Sequence, residues 1–199
     1  MRTSITHPLQ VDWLQIEGDK GCIGMTLCPG KFQPVSWTGG WDRQLSSDIE
    51  ALVQYGTDQL VSLITDDEME VLRVTDLPNI VRENGLEWIH LPIEDTTVPT
   101  RRWLENALPV YIRLFTSIQE GERVVVHCMG GLSRAGTFVA IYLYLRGFTM
   151  TEAIAKIRLE RDPRCINERQ LEFLFALEDH DVKRLTGIKE PSRKDWNIR

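Results

Sequence analysis

Residues 124–136 read VVVHCMGGLSRAG. Three consecutive valines are β-branched and suit a strand. His127 and Cys128 end it, two adjacent glycines make a loop, and Arg134 stands where an apolar segment begins. The stretch is therefore read as a strand, a tight loop and the first turn of a helix. A loop wrapped onto a helix N-terminus directs successive backbone N–H groups at one point, where the helix dipole adds partial positive charge. Such a point binds phosphate. Gly130 and Gly131 are expected to supply the positive φ angles and the close backbone approach that a cradle needs. Met129, Gly130, Gly131, Leu132, Ser133 and Arg134 make up this expected phosphate-binding loop. Cys128 opens it, and a thiol facing N–H groups and a guanidinium is expected to be ionised and nucleophilic at neutral pH. Arg134 follows after five intervening residues. Its planar fork makes two parallel bonds to phosphoryl oxygens, a geometry lysine cannot match. Because a cation at a helix N-terminus is otherwise unfavourable, Arg134 is read as an anion ligand.

Working outward, residues 11–16 and 22–27 are expected to form a strand hairpin around Gly18 and Gly21. The segment 32–41, with Pro34, Gly39 and Gly40, is read as loop. Asp42 is expected to cap a helix running to Tyr55 that Gly56 stops. Residues 60–64 form a buried strand, and Asp66, Asp67, Glu68 and Glu70 are read as a solvated acidic face. A short helix is expected over 76–84. A strand over 86–93 then presents Glu94 and Asp95 before a Thr/Pro-rich loop. Leu104, Leu108, Tyr111, Leu114, Phe115 and Ile118 recur at helical spacing, with Pro109 expected to kink that helix or to begin its second half. The helix over 135–146 is apolar nearly all round, which suits one buried beneath a sheet. Thr149 and Glu152 have the spacing of a capping box, and Asn167 opens the last helix.

Strands alternating with helices imply an α/β fold: a mostly parallel central sheet flanked by helices, with the phosphate-binding loop between a strand and a buried helix. Ligands in such folds sit at the carboxyl ends of strands, where Cys128 and Asp95 can meet. The length of 199 residues suits one domain over 1–183, able to bury about 70% of its unfolded surface. A polar tail over 184–199 follows, with five Lys/Arg against two Asp/Glu.

Hydrophobic content of 42% and charged content of 26% are ordinary for a globular protein. No apolar run reaches the roughly 18 residues of a membrane span, and the N-terminus lacks the apolar core of a secretory signal. A cytoplasmic protein is expected. Cys22, Cys28, Cys128 and Cys165 contain no CxxC pair, so neither zinc nor another metal is expected. The net charge of −6 argues against nucleic acid or an anionic membrane as partner.

At HCMGGLSR the chain resembles the cysteine-dependent dual-specificity and tyrosine protein phosphatases, whose reaction passes through a phosphocysteine. With TLCPGKF at 26–32 and LPIEDTTVP at 91–99, it is similar to their kinase-associated type, the resemblance being clearest over 26–177. The resemblance implies Cys128 as nucleophile, Arg134 as phosphate ligand and Asp95 as general acid, with Glu94 as the rival carboxylate. It implies no cofactor. His127 is expected to hydrogen-bond the loop and help hold the thiolate without transferring protons, and His90 to be structural. Gln170 matches a water-positioning glutamine of some relatives, although Asn167 and Gln170 also have capping-box spacing. Arg158, Arg161, Arg164 and Arg169 are weighed as a basic rim for an anionic substrate, and Lys31 and Arg43 as weaker substrate contacts. Many relatives carry Ser or Thr directly after the arginine, where this chain has Ala135. Slower breakdown of the phosphocysteine is expected from that.

Phosphoinositide phosphatases of the superfamily tend to place lysines inside the loop, whereas Met129, Leu132 and Ser133 are uncharged. The expected partner is thus a phosphorylated protein or peptide carrying phosphotyrosine, and by resemblance phosphoserine or phosphothreonine. The alternatives are a small-molecule or phosphoinositide phosphatase, and a phosphate-binding module without turnover. Composition leaves the oligomeric state open.

Overall fold

Val124, Val125 and Val126 divide between two hydrophobic cores, the outer two facing one way and Val125 the other. That is the period-two alternation of a strand buried on both faces. The strand is β7 (Arg123–His127), and it lies in the middle of a five-stranded sheet of order β1-β2-β7-β5-β6. The computed structural model describes residues 1–36 and 39–179. β2 (Cys22–Thr26), β5 (Gln59–Ser62) and β6 (Glu87–His90) run parallel with β7, and β1 (Asp12–Leu14) is antiparallel at the edge. The expected hairpin and parallel sheet are both present.

On one face α1 (Leu45–Gln54), α2 (Asp66–Val71) and α3 (Leu77–Glu83) close a core containing Ile49, Leu60, Met69, Val81 and Val125. On the other, α4 (Arg101–Glu120), α5 (Ser133–Leu145), α6 (Met150–Glu160) and α7 (Glu168–Asp179) cover Met25, Val61, Val124 and Val126. The α5 residues Arg134 to Leu145 are all buried, because this helix lies between the sheet and the outer helices. At its C-terminal end Arg146 makes a bidentate pair with Asp19 in the β1–β2 turn, 2.8 and 2.9 Å, which locks that hairpin to the helix. No helix among the described residues is long and apolar enough to cross a membrane.

Three expectations are corrected. The segment 32–41 is not all loop: β3 (Phe32–Gln33) and β4 (Trp41–Asp42) pair antiparallel, and the N-terminal segment docks on β4 through Arg2. Asp42 therefore lies in a strand and caps nothing. α1 starts from Gln44 without a side-chain cap, and Asp48 in its first turn pairs with Arg43 instead, 2.7 Å. Of the two expectations for Pro109, the start of a second helix half is overturned, since α4 runs through it. Pro109 is exposed, so the carbonyl left without its N–H faces water. The polar stretch 184–199 lies outside the described residues.

Candidate active site

Thr26, His127, Ser62 and His90 form one row across the carboxyl edge of the sheet. The loops that leave this row build the site. After β7 the chain turns sharply, and the Gly131 N–H donates to the Cys128 Sγ at 3.2 Å. Gly131 has φ +67°, and a Cβ there would meet the Thr26 carbonyl oxygen at 2.1 Å, so no other residue fits. Gly130 differs from expectation: its φ is not positive and a Cβ would meet nothing within 4 Å. The close approach is confined to one of the two glycines.

Two cations grip the outside of the loop. Lys31, in the loop after β2, donates to the Met129 carbonyl at 3.1 Å, and the Cys28 N–H reaches the same oxygen at 3.3 Å. Arg161, just past α6, donates from Nε to the Gly131 carbonyl at 3.1 Å and from Nη1 to Asp12 on β1. Burial pulls the Lys31 amine down to about 8.

Arg134 is buried in the first turn of α5, and its guanidinium is fixed from several sides. Glu68 accepts from Nη1 and Nη2 in a fork, both at 2.6 Å; Ile93 O accepts from Nη1 at 2.9 Å and Leu63 O at 3.4 Å. Asp95 Oδ1 lies 3.0 Å from Nη2. Among the described residues the Nε–H has no acceptor, which leaves it for an anion. Burial opposes the charge on Arg134, but its hydrogen bonds to Glu68, together with the attraction of Cys128, Glu68 and Asp95, outweigh that and hold the guanidinium above its ordinary value.

Glu68 corrects the sequence reading, which placed it on a solvated face. Thr65 and Glu68 form a reciprocal capping box at the start of α2, and that cap aims the carboxylate at Arg134. Burial raises the Glu68 carboxyl, but the hydrogen bonds from Arg134 and Thr65 outweigh it and hold the group below the usual range. The Thr-x-x-Glu pattern was visible in the sequence as a helix start; nothing in it announced the second partner.

Asp95 and Glu94 separate cleanly. Both follow β6 in a turn pinned by the Thr97 N–H and hydroxyl on the Glu94 carbonyl, 3.2 and 2.8 Å. Thr96 sits at φ +60°, a left-handed conformation that costs a β-branched residue about 1–3 kcal/mol and turns Asp95 toward Arg134. Glu94 is exposed to solvent and makes no ion pair among the described residues.

His127 is fully buried. Trp88 Nε1–H donates to Ser62 Oγ at 2.8 Å, so the Ser62 hydroxyl gives its own proton to His127 Nε2, 2.6 Å away. The imidazole proton is thereby placed on Nδ1, from which it is donated to the Cys128 carbonyl at 3.3 Å. Burial pushes this imidazole down to about 4, so it is neutral at pH 7 and orients the loop without exchanging protons. His90 is structural, with Nε2 on the Ile64 carbonyl at 2.8 Å and its ring stacked on Trp88. Burial pushes the thiols of Cys22, Cys28 and Cys165 up, to about 11 for Cys165, so these three stay protonated at neutral pH.

The basic rim weighed from the sequence is not formed. Arg158 holds the Cys165 and Ile166 carbonyls at 3.1 and 3.2 Å, steadying Ile166 at φ +66°, and Arg161 is committed to Gly131 and Asp12. Arg164 is chelated by Asp162, and Arg169 is exposed. Arg43 is likewise spent on Asp48 and on the His7 carbonyl. Gln170 is buried and forms the capping box with Asn167, its Oε1 accepting from Asn167 N–H at 3.1 Å, which leaves Nε2 for any contact with water. Among the described residues no cluster of three or more His, Cys, Asp or Glu is placed to hold a metal.

Comparison with known proteins agrees with this geometry. The family model described as Swiss Army Knife protein, DSP-PTPase phosphatase domain, matches residues 33–183. Mouse cyclin-dependent kinase inhibitor 3 is 26% identical over 191 residues, covering 94% of this chain and 86% of the relative. Bovine protein tyrosine phosphatase type IVA 3 is 31% identical over 147 residues, 74% of this chain and 78% of that one. A crystal structure of kinase associated phosphatase, with serine in place of its catalytic-site cysteine, shares the fold at TM-score 0.76 and 23% identity, covering 92% of this chain and 98% of that one. The chain therefore belongs to the dual-specificity and tyrosine protein phosphatases, which are phosphoric monoester hydrolases.

Proposed function

We propose that this protein removes phosphate from phosphotyrosine, and from phosphoserine and phosphothreonine, on protein substrates through a phosphocysteine at Cys128. The observation that carries the reading is the Gly131 N–H on the Cys128 sulfur, in a loop whose next helical turn supplies a buried arginine in contact with Asp95. In the first step the Cys128 thiolate attacks phosphorus, the bond from phosphorus to the substrate oxygen breaks, and Asp95 gives that oxygen its proton. The loop N–H groups and the Arg134 Nε–H hold the phosphoryl oxygens while charge moves across them. In the second step Asp95, now a carboxylate, takes a proton from water as that water attacks phosphorus. The sulfur leaves as thiolate, and inorganic phosphate departs.

Asp95 reaches this role by exchanging its contact with Arg134 for one with the substrate. Its side chain is 53% exposed, so the exchange needs no repacking. The uncharged Met129, Leu132 and Ser133 favour a single phosphate on a peptide over a polyanionic lipid head. All four cysteines are free thiols, which suits a reducing compartment such as the cytoplasm.

The test is hydrolysis of p-nitrophenyl phosphate and of phosphopeptides by the wild type, Cys128→Ser and Asp95→Ala. The expected result is loss of turnover in Cys128→Ser with retained phosphopeptide binding, and a large fall in kcat for Asp95→Ala. Preference for inositol phosphates over phosphopeptides, or binding without hydrolysis in the wild type, would overturn the reading.

A further inference from the structure

We infer that Lys31 and Arg161 are positioning residues that set the anion-binding face of the loop from behind, and that neither touches the substrate. The inference rests on the proposal that residues 129–134 cradle the phosphoryl group. In a trans peptide the carbonyl of one residue and the N–H of the next point in opposite directions, and the described chain contains no cis peptide bond. Fixing the Met129 carbonyl therefore fixes the Gly130 N–H, and fixing the Gly131 carbonyl fixes the Leu132 N–H. Lys31 takes the first carbonyl at 3.1 Å, shared with the Cys28 N–H at 3.3 Å, and Arg161 takes the second at 3.1 Å. Both approach from flanking elements outside the loop, so the two amides are turned toward its inside, where Cys128 and Arg134 stand.

The loop needs this help. Gly130 has open space at its Cβ position and an unstrained φ, so sterics do not hold the Met129–Gly130 peptide in one orientation. A glycine-bounded peptide without an external tie samples both flips, and each flip would aim a carbonyl oxygen at the incoming anion. Lys31, beside the Cys28 N–H, and Arg161 remove that freedom, and both cations are themselves held. Gln33 Oε1 accepts from the Lys31 ammonium at 3.1 Å and Trp41 lies under it with its ring centre 5.1 Å away, while Asp12 secures Arg161. The two cations also bring positive potential to the loop without offering a ligand to the substrate. The sequence-based reading of Arg161 as a rim residue and of Lys31 as a substrate contact is replaced by this one.

The experiment follows the amide resonances of Gly130 and Leu132 by 15N NMR while vanadate is added to the wild-type protein, Lys31→Met and Arg161→Met. In the wild type both amide protons are expected to move downfield on binding. Lys31→Met, in which the Cys28 N–H still holds the Met129 carbonyl, is expected to reduce the Gly130 shift and keep that of Leu132, and Arg161→Met to lose the Leu132 shift and keep that of Gly130, each with a roughly tenfold weaker vanadate affinity. Retention of one shift in each variant is what general unfolding could not produce. Asp12→Asn, which leaves Arg161 in place but unanchored, is expected to show an intermediate loss confined to Leu132. Wild-type protein that binds vanadate without moving these two amides would overturn the inference whether or not any variant folds, and would leave the phosphatase proposal standing. Wild-type protein that neither binds vanadate nor hydrolyses p-nitrophenyl phosphate would overturn both.

Discussion

Arg134 and Glu68 meet as a fork on a fork, with both N–O distances 2.6 Å, at the base of the candidate site. The arginine is almost wholly buried, and a buried guanidinium is tolerated only when paired. Glu68→Gln isolates this pairing, because glutamine still completes a capping box with Thr65. The variant is expected to fold with α2 intact, to lose about 2 kcal/mol of stability and to lose on the order of 10²-fold in kcat/KM as the guanidinium gains freedom. Thermal unfolding and p-nitrophenyl phosphate kinetics measure the two losses. Unchanged kinetics in a protein of unchanged stability would mean that Arg134 holds its orientation through the Ile93 and Leu63 carbonyls alone.

Asp95 and Glu94 are adjacent in sequence and opposite in orientation, so a pair of substitutions separates them. Asp95→Asn is expected to lower kcat by roughly 10²–10⁴ on substrates with a poor leaving group, such as phenyl phosphate. The loss should shrink on p-nitrophenyl phosphate, whose leaving oxygen needs less help from a proton. Glu94→Gln is expected to stay within about twofold of the wild type on both, as a solvated carboxylate would. A larger effect for Glu94→Gln than for Asp95→Asn would reverse the assignment.

The strand, the loop and the buried helix were legible in VVVHCMGGLSRAG because that stretch carries three local signals at once: β-branched alternation, a glycine turn and an apolar helix. The mostly parallel sheet followed from strands alternating with helices, but the order of its strands did not. Partnerships across the chain were not legible. Glu68 lies 66 residues from Arg134, and in sequence it looks like any other member of an acidic run. Arg158 and Arg161 look like exposed arginines on a helix, and only the folded chain shows the carbonyls they hold. The β3–β4 pair escaped notice because its strands are two residues long and are completed by the distant Arg2. The two glycines of the loop read alike, and only the closeness of the Thr26 carbonyl distinguishes Gly131 from Gly130.

Ala135 follows the arginine, fully buried, at the position where by resemblance many relatives carry a hydroxyl that helps the sulfur leave phosphorus. Thr137 cannot substitute, because its Oγ1 already donates to the Ser133 carbonyl at 3.0 Å within the helix. Phosphocysteine is therefore expected to accumulate, giving a pre-steady-state burst of p-nitrophenol of about one equivalent per active site before a slower steady rate. Ala135→Ser is expected to raise the steady rate several-fold and to reduce the burst. Normal turnover with no burst in the wild type would show that breakdown does not limit the reaction.

His127 gives the fold an acid sensitivity that can be measured apart from catalysis. Its imidazole is pushed down by burial to about 4 in the folded protein, against about 6.5 in an unfolded chain. Between those values the unfolded state binds the extra proton and the folded state does not, so stability rises with pH across that window. The contribution is complete above pH of about 6.5, declines as pH falls to about 4, and changes no further below that. Its full span is on the order of 3 kcal/mol. Denaturant unfolding of the wild type and of His127→Ala at intervals from pH 8 to pH 4 isolates it, since the carboxylates, Glu68 included, titrate in both proteins. The variant is expected to be less stable at pH 8, having stranded the Ser62 hydroxyl and the Cys128 carbonyl, yet to approach the wild type as pH falls. Parallel stability curves for the two proteins would mean that His127 does not stay neutral in the folded state, and that the proton order from Trp88 through Ser62 to the loop is not the one drawn above.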